Sequence, residues 1–135
     1  MPTVEELQEK AARRFQERPP NFPEGRPCNC CESVLSTLTE YLGVESNLVP
    51  KIATSIGAGF SLNGLTCGTI SGVAMAIGLK YGRTTNAENP QTAWNKTDEF
   101  IEAFRKKWGG GDLSGTHGPR YEDTRRHEGI PAKRL

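Results

Sequence analysis

Four cysteines are the residues best able to do chemistry in this chain, and three of them fall within four positions: Cys28, Cys30 and Cys31. The fourth, Cys67, follows a glycine-rich stretch in the middle of the sequence. Thiolates act as nucleophiles, as redox groups and as ligands for zinc or iron–sulfur clusters, and in reducing compartments they seldom form structural disulfides. The clustering therefore predicts one redox-active or metal-binding thiol site.

Two residues beside the cluster predict that it opens a helix. Asn29 and Glu32 stand three positions apart just before an apolar run, which is the pattern of a capping box. Cys30 and Cys31 then occupy the first two helical positions, and Cys28 lies just outside the helix. Because a helix N-terminus carries unpaired N–H groups and about half a positive elementary charge, thiolates there are stabilised.

Cys67 is predicted to begin a second helix, with Thr66 as its N-cap. Two helix starts that meet at one spot would hold sulfur ligands or a reactive dithiol, since N–H groups bond to sulfur anions. The glycine-rich segment that precedes this helix, residues 57–64, is expected to be a loop.

Three functions fit this pattern of cysteines. The first is electron transfer to a partner protein by an iron–sulfur cluster or another metal, with four candidate ligands: Cys28, Cys30, Cys31 and Cys67. Because adjacent cysteines hardly reach one iron together, a cluster shared by two subunits is a variant. The second is a dithiol oxidoreductase in which Cys30 attacks and Cys67 or Cys28 resolves. The third is a non-catalytic helical interaction module, either stabilised by zinc or with cysteines that only pack in the core. Cys31, on the apolar face of the predicted helix, is the cysteine best placed for such packing.

The elements that must position these thiols are helices. Apolar residues recur at three- and four-residue spacing in five segments. The prediction is an all-α fold, a single compact bundle of about five helices formed by residues 1–108. The third helix is expected to start at Asn47, and the fifth at Asn89 with Pro90 in its first position. The expected core comprises Val34, Leu38, Leu42, Ile52, Ile70, Ile77, Ile101 and Phe104, with Trp94 and Trp108 on the same face of the last helix.

Small residues repeat in the helix that follows Cys67: Gly68, Gly72 and Ala76 stand four positions apart. Glycine inside a helix costs about 0.5–1 kcal/mol relative to alanine, so a smooth face here needs a reason. Close approach of another helix is the expected one. That helix belongs either to the same chain or to a second copy, and a homodimer is predicted.

The composition of the chain limits the kinds of partner that the protein is expected to bind. The 135-residue chain has a formal net charge of +1, so no nucleic-acid binding is predicted. Its longest apolar stretch, residues 70–79, is too short to span a membrane, and its beginning lacks the pattern of a signal peptide. We therefore expect a cytoplasmic protein with no membrane partner. Residues 109–135 are a predicted polar tail that holds both histidines, His117 and His127, as solvated side chains.

Three segments together resemble the C-GCAxxG-C-C family of redox-active proteins. The segments are NCCESVL (29–35), GAG (57–59) and TCGTISG with AMAIGLKYG (66–82), the last being the most specific. The resemblance covers roughly residues 28–113 and matches Cys30 and Cys67 to the family's first two cysteines. It implies a mostly helical protein, of a kind found in anaerobic prokaryotes, that carries electrons or binds iron.

The chain departs from that family's pattern after the fifth predicted helix. Two further family cysteines fall there, one of them near residues 111–115, and this chain has neither. It carries Cys28 and Cys31 beside Cys30 instead, so its four thiols are differently arranged. The related split-Soret cytochromes add haem c, but this sequence has no Cys-x-x-Cys-His, and no covalent haem c is expected.

Overall fold

Helices make up the regular secondary structure of the computed structural model, which describes residues 1–111. These residues contain no β-strand, so the predicted all-α bundle of about five helices is confirmed. A short 3-10 turn, Lys51–Ala53, precedes the third helix. The α-helices are α1 (Val4–Gln16), α2 (Cys30–Tyr41), α3 (Gly57–Leu62), α4 (Gly68–Tyr81) and α5 (Gln91–Trp108).

The central helix is α2, which packs against both α1 and α4. It begins at the predicted capping box: the Asn29 side chain accepts the Glu32 N–H at 2.9 Å, and the Glu32 carboxylate accepts the Asn29 N–H at 3.0 Å. It ends at Gly43, which has the left-handed conformation that glycine adopts readily, with φ 68°. The Val44 N–H then donates to the Thr39 carbonyl at 2.9 Å, so the helix end is closed by backbone hydrogen bonds.

The starts of two other helices lie within one residue of the predicted positions. The N-cap of α4 is Cys67 rather than Thr66, and the N-cap of α5 is Pro90 rather than Asn89. The Asn89 side chain nevertheless accepts the Gln91 N–H at 2.9 Å, so it pairs an N–H of the first turn as a capping residue does. Shifts of one residue at helix ends are ordinary.

The smooth face of α4 packs inside the chain. Gly68 and Gly72 are buried against α2, and a Cβ built at Gly72 would lie 3.1 Å from the Cys31 carbonyl oxygen and 3.2 Å from Val34. The predicted close approach of another helix is therefore confirmed, and that helix is α2 of the same chain. The two glycines are thus not available as the face of a dimer, although the oligomeric state itself stays a prediction.

The buried core is smaller than predicted and contains several small side chains. Cys31 and Leu35 of α2 are completely buried, and Ile70 of α4 is 7% exposed. Ile52 was expected in the core but is 47% exposed, because the 3-10 turn directs the neighbouring Ala53 inward instead. The other predicted core residues are half-buried: Val34, Leu38, Leu42, Ile77, Ile101 and Phe104.

The last helix, α5, packs mainly against α4 and has no fully buried residue. Phe100 and Phe104 lie in its half-buried middle, with ring centroids 6.0 Å apart. Trp94 and Trp108 are 62% and 65% exposed, so their predicted place in the core is wrong. The reason is length: α5 has 18 residues and α4 has 14, which leaves the two ends of α5 with little surface to cover.

The helix expected from Asn47 does not form, and only the 3-10 turn Lys51–Ala53 is present there. The Ser46 side chain accepts the Leu48 N–H at 3.2 Å. Such a local side-chain bond offers the backbone an alternative to the helical ladder, and the apolar spacing gives no sign of it.

The segment expected to be a loop, residues 57–64, instead contains α3, a helical turn of left-handed sense. Ala58, Gly59, Phe60 and Ser61 have φ angles between 54° and 64°. The left-handed conformation costs about 1–2 kcal/mol for each residue other than glycine, so this turn is strained. Strain of this kind persists only where the surroundings hold it, and it tends to occur at functional sites.

In the part of the chain that the structure describes, no helix is both long and apolar enough to cross a lipid bilayer. The predicted polar tail, residues 109–135, lies outside the described residues apart from its first three positions, and so do His117 and His127. The expected boundary of the domain at residue 108 stays a prediction.

Candidate thiol site

The four cysteines are free thiols, and two of them occupy the predicted first turn of α2. Cys30 is the first residue of this helix and Cys31 the second, behind the Asn29 cap. The capping box positions both, because it fixes where the helix begins. The sequence prediction of their placement is confirmed.

The Cys30 sulfur lies between the left-handed turn and the start of α4. It accepts a hydrogen bond from the Ala58 N–H, with 3.4 Å between nitrogen and sulfur. On its other side it packs on Gly68, where an added Cβ would overlap the sulfur. The Cys30 side chain is half-buried. An N–H donor and a helix N-terminus both favour the anionic form of a sulfur, so this position suits a thiolate or a sulfur ligand.

Cys67 caps α4 and directly precedes Gly68, so the backbone of Cys67 is adjacent to the residue that the Cys30 sulfur contacts. Consecutive α-carbons are about 3.8 Å apart. The Cys67 N–H donates to the Gly111 carbonyl at 2.7 Å, while its side chain makes no capping bond. Gly111, the last residue that the structure describes, therefore lies beside Cys67.

Cys31 faces the core and is completely buried. Burial is the main reason that the pKa of its thiol is raised to about 11. Electrostatic interactions with Cys30, Glu32 and Cys67 add to the rise. A thiol that is buried and protonated at neutral pH reacts slowly, so Cys31 contributes packing more than chemistry.

We expect the Cys31 thiol to make the protein less stable in alkali. The unfolded chain releases this proton near the ordinary value of 9.0 and the folded chain near 11, so the folded state holds the extra proton between these values. The free energy of unfolding therefore falls as pH rises from 9 to 11, by up to about 3 kcal/mol. Urea unfolding of the wild type and of Cys31→Ala at several pH values measures this, since the variant should lose less stability across that range. Equal losses in both proteins would contradict the assignment.

Cys28 precedes α2 and is bonded through its backbone to α1. Its N–H donates to the Arg14 carbonyl at 2.9 Å. Burial raises the pKa of its thiol, the Glu32 carboxylate adds to the rise, and the Arg14 guanidinium opposes it. The structure thus brings Cys30 and Cys31 near Cys67, whereas the charges that act on Cys28 belong to α1 and to Glu32.

Metal binding was predicted for these cysteines. Among residues 1–111, no three histidine, cysteine or acidic side chains lie close enough together to hold a metal ion. The described residues of one chain therefore do not complete such a site by themselves, and the ligand role of the four cysteines stays a prediction.

Sequence reasoning missed two residues that shape the site, Ala58 and Thr54. Ala58 supplies the N–H that reaches Cys30. Thr54 accepts a hydrogen bond from the Asn29 side chain at 3.0 Å through its carbonyl, and its hydroxyl donates to Glu32 at 3.2 Å. The glycines at 57 and 59 were a signal of unusual backbone, but nothing local in the sequence indicates that Ala58 or Thr54 takes part.

Comparison with known proteins places the chain in a family. No curated protein and no solved structure matches it. A family model described as "Putative redox-active protein (C_GCAxxG_C_C)" matches residues 28–120, more than half of the 135-residue chain, and this range includes all four cysteines. The protein is therefore a member of the C_GCAxxG_C_C family of redox-active proteins.

Proposed function

We propose that this protein is a thiol-based redox protein whose working pair is Cys30 and Cys67. The observation that carries the proposal is the position of the Cys30 sulfur, which accepts the Ala58 N–H and packs against Gly68, the residue next to Cys67. Both cysteines are half-buried, so a partner can reach them, whereas Cys31 is completely buried. Two thiols suffice for a disulfide, and the contact of Cys30 with the residue next to Cys67 supports this pairing.

The proposed reaction is thiol–disulfide exchange with an electron-transfer partner that carries a disulfide. The Cys30 thiolate attacks one sulfur of the partner's disulfide, which forms a mixed disulfide and releases the partner's other sulfur as a thiolate. The Cys67 thiolate then attacks the Cys30 sulfur, which forms the Cys30–Cys67 disulfide and releases the partner's second thiolate. Two electrons pass to the partner, and the two protons that Cys30 and Cys67 lose are matched by the two that protonate the partner's thiolates.

A second candidate is an iron–sulfur cluster, or zinc, held by the same two cysteines with further ligands. One observation favours it: the Cys67 N–H donates to the Gly111 carbonyl, so the last residue that the structure describes lies beside Cys67, and the sequence beyond it is one source of further ligands. A second subunit is the other source of ligands. When bound, a cluster would supply one-electron transfer.

One experiment separates these functions. The full-length protein is purified without oxygen, and its visible absorption, iron, sulfide and zinc contents and thiol count are measured before and after mild oxidation. A dithiol protein is colourless and metal-free and loses two thiols reversibly, with the new disulfide mapped to Cys30 and Cys67. A brown protein with stoichiometric iron and sulfide, or a colourless one with stoichiometric zinc, supports the second candidate. Four thiols that never oxidise, in a protein without metal, would exclude both.

A further inference from the structure

Thr54 links the cap of α2 to the left-handed turn that covers Cys30. Its carbonyl accepts the Asn29 side-chain amide at 3.0 Å, and its hydroxyl donates to the Glu32 carboxylate at 3.2 Å. Asn29 and Glu32 are the two halves of the capping box that places Cys30 at the start of the helix. Thr54 is thus bonded to both residues that fix the position of Cys30.

The left-handed turn is tied to the two residues that directly follow Thr54. The Phe60 N–H donates to the Ile56 carbonyl at 3.0 Å, and the Ser61 hydroxyl donates to the Ser55 carbonyl at 2.7 Å. At the start of the turn, the Asn29 amide occupies the place that a side chain at Gly57 would take. The strained turn is therefore held from one side by its tethers near Thr54 and from the other by Asn29.

From these contacts we infer that Thr54 is a positioning residue for Cys30: it joins the α2 cap to the left-handed turn and so holds the Ala58 N–H against the Cys30 sulfur. The inference rests on the thiol function proposed above, because the N–H matters only where the sulfur acts as an anion. Without the Thr54 hydroxyl, the segment that leads into the turn has one bond fewer to α2, and the Ala58 N–H spends less time at hydrogen-bond distance from the sulfur. The thiolate is then less stabilised, and Cys30 reacts more slowly.

The test is the alkylation rate of each cysteine in the reduced full-length protein, measured at pH 7 with iodoacetamide and residue-resolved mass spectrometry. Thr54→Val keeps the shape and the carbonyl but removes the hydroxyl. We expect it to slow alkylation of Cys30 by about three- to tenfold and to leave the rate of Cys67 within about twofold. Thr54→Ser restores a hydroxyl and should return the Cys30 rate to that of the wild type.

Thr92→Val is the matched control, because Thr92 is exposed on α5 and away from the site. A Cys30 rate in Thr54→Val that is unchanged or faster, or an equal slowing of Cys67, would overturn the inference. If Thr54→Val does not fold, Thr54→Ala is measured instead with the same expectations. Failure of the proposed function has a different signature: wild-type Cys30 and Cys67 would form no reversible disulfide, whatever the rates in the Thr54 variants.

Discussion

Cys67→Ser is expected to abolish reversible oxidation of the protein and at the same time to make it slightly more stable. The loss of redox cycling follows because serine cannot form the disulfide with Cys30. The gain in stability follows because residue 67 is the N-cap of α4 and its present side chain makes no capping bond. Serine is among the best N-cap residues, and such a cap contributes about 0.5–2 kcal/mol. Thiol counting after oxidation and urea unfolding measure the two effects on the same sample.

Because reversible oxidation is lost while stability rises, unfolding of the variant cannot explain the loss of redox cycling. Cys28→Ser is the matched control, since the charges that act on Cys28 belong to Arg14 and Glu32 and not to the other cysteines. This variant should keep the Cys30–Cys67 disulfide, and Cys30→Ser should lose it. If Cys67→Ser still loses two thiols reversibly on oxidation, the working pair has been assigned to the wrong cysteines.

Gly68→Ala is expected to lower the free energy of unfolding by about 1–3 kcal/mol or more and to disturb the thiol site. A Cβ at this position would overlap the Cys30 sulfur and lie 2.9 Å from the Cys31 backbone nitrogen. The sulfur could turn aside, but the backbone of α2 cannot, so α4 must shift. Because the start of α4 also carries Cys67, the two cysteines of the proposed pair should then move relative to each other. Urea unfolding and the rate of disulfide formation measure these consequences.

Gly78→Ala in the same helix is the control with the opposite expectation. No atom lies within 4 Å of a Cβ at Gly78, so the added methyl group meets open space. Alanine should raise stability by about 0.5–1 kcal/mol through helix propensity alone. If both alanine variants behaved alike, contact between α4 and the cysteines of α2 would not be the reason for the glycine at 68.

The sequence was sufficient for the placement of Cys30 and Cys31, because a capping box is a local arrangement. Asn29 and Glu32 satisfy each other's N–H groups over three residues, and Thr54 only adds bonds to a cap that these two residues already form. The left-handed end of α2 at Gly43 was predictable for the same reason. Four-residue spacing also revealed that α4 approaches another helix closely, since only small residues permit it.

The identity of that neighbouring helix was beyond the sequence. The smooth face of α4 is compatible with a second subunit or with a helix of its own chain, and only packing placed Gly68 and Gly72 on α2. The exposed positions of Trp94 and Trp108 have a similar origin, because spacing shows which residues share a face but not how far the opposite helix extends.

The thiol site was likewise predictable from the sequence in part and decided by tertiary packing in part. A thiol site with Cys30 and Cys31 at a helix start follows from residue types and from bonds between near neighbours in sequence. The surroundings of each cysteine were decided by tertiary structure: the Cys30 sulfur packs on Gly68, the residue after Cys67, while Cys31 is buried in the core and the Cys28 N–H bonds to α1. The left-handed turn at Ala58 was decided there too. Its strain is unfavourable for any isolated segment of this composition, and it persists because hydrogen bonds and packing from distant residues hold it.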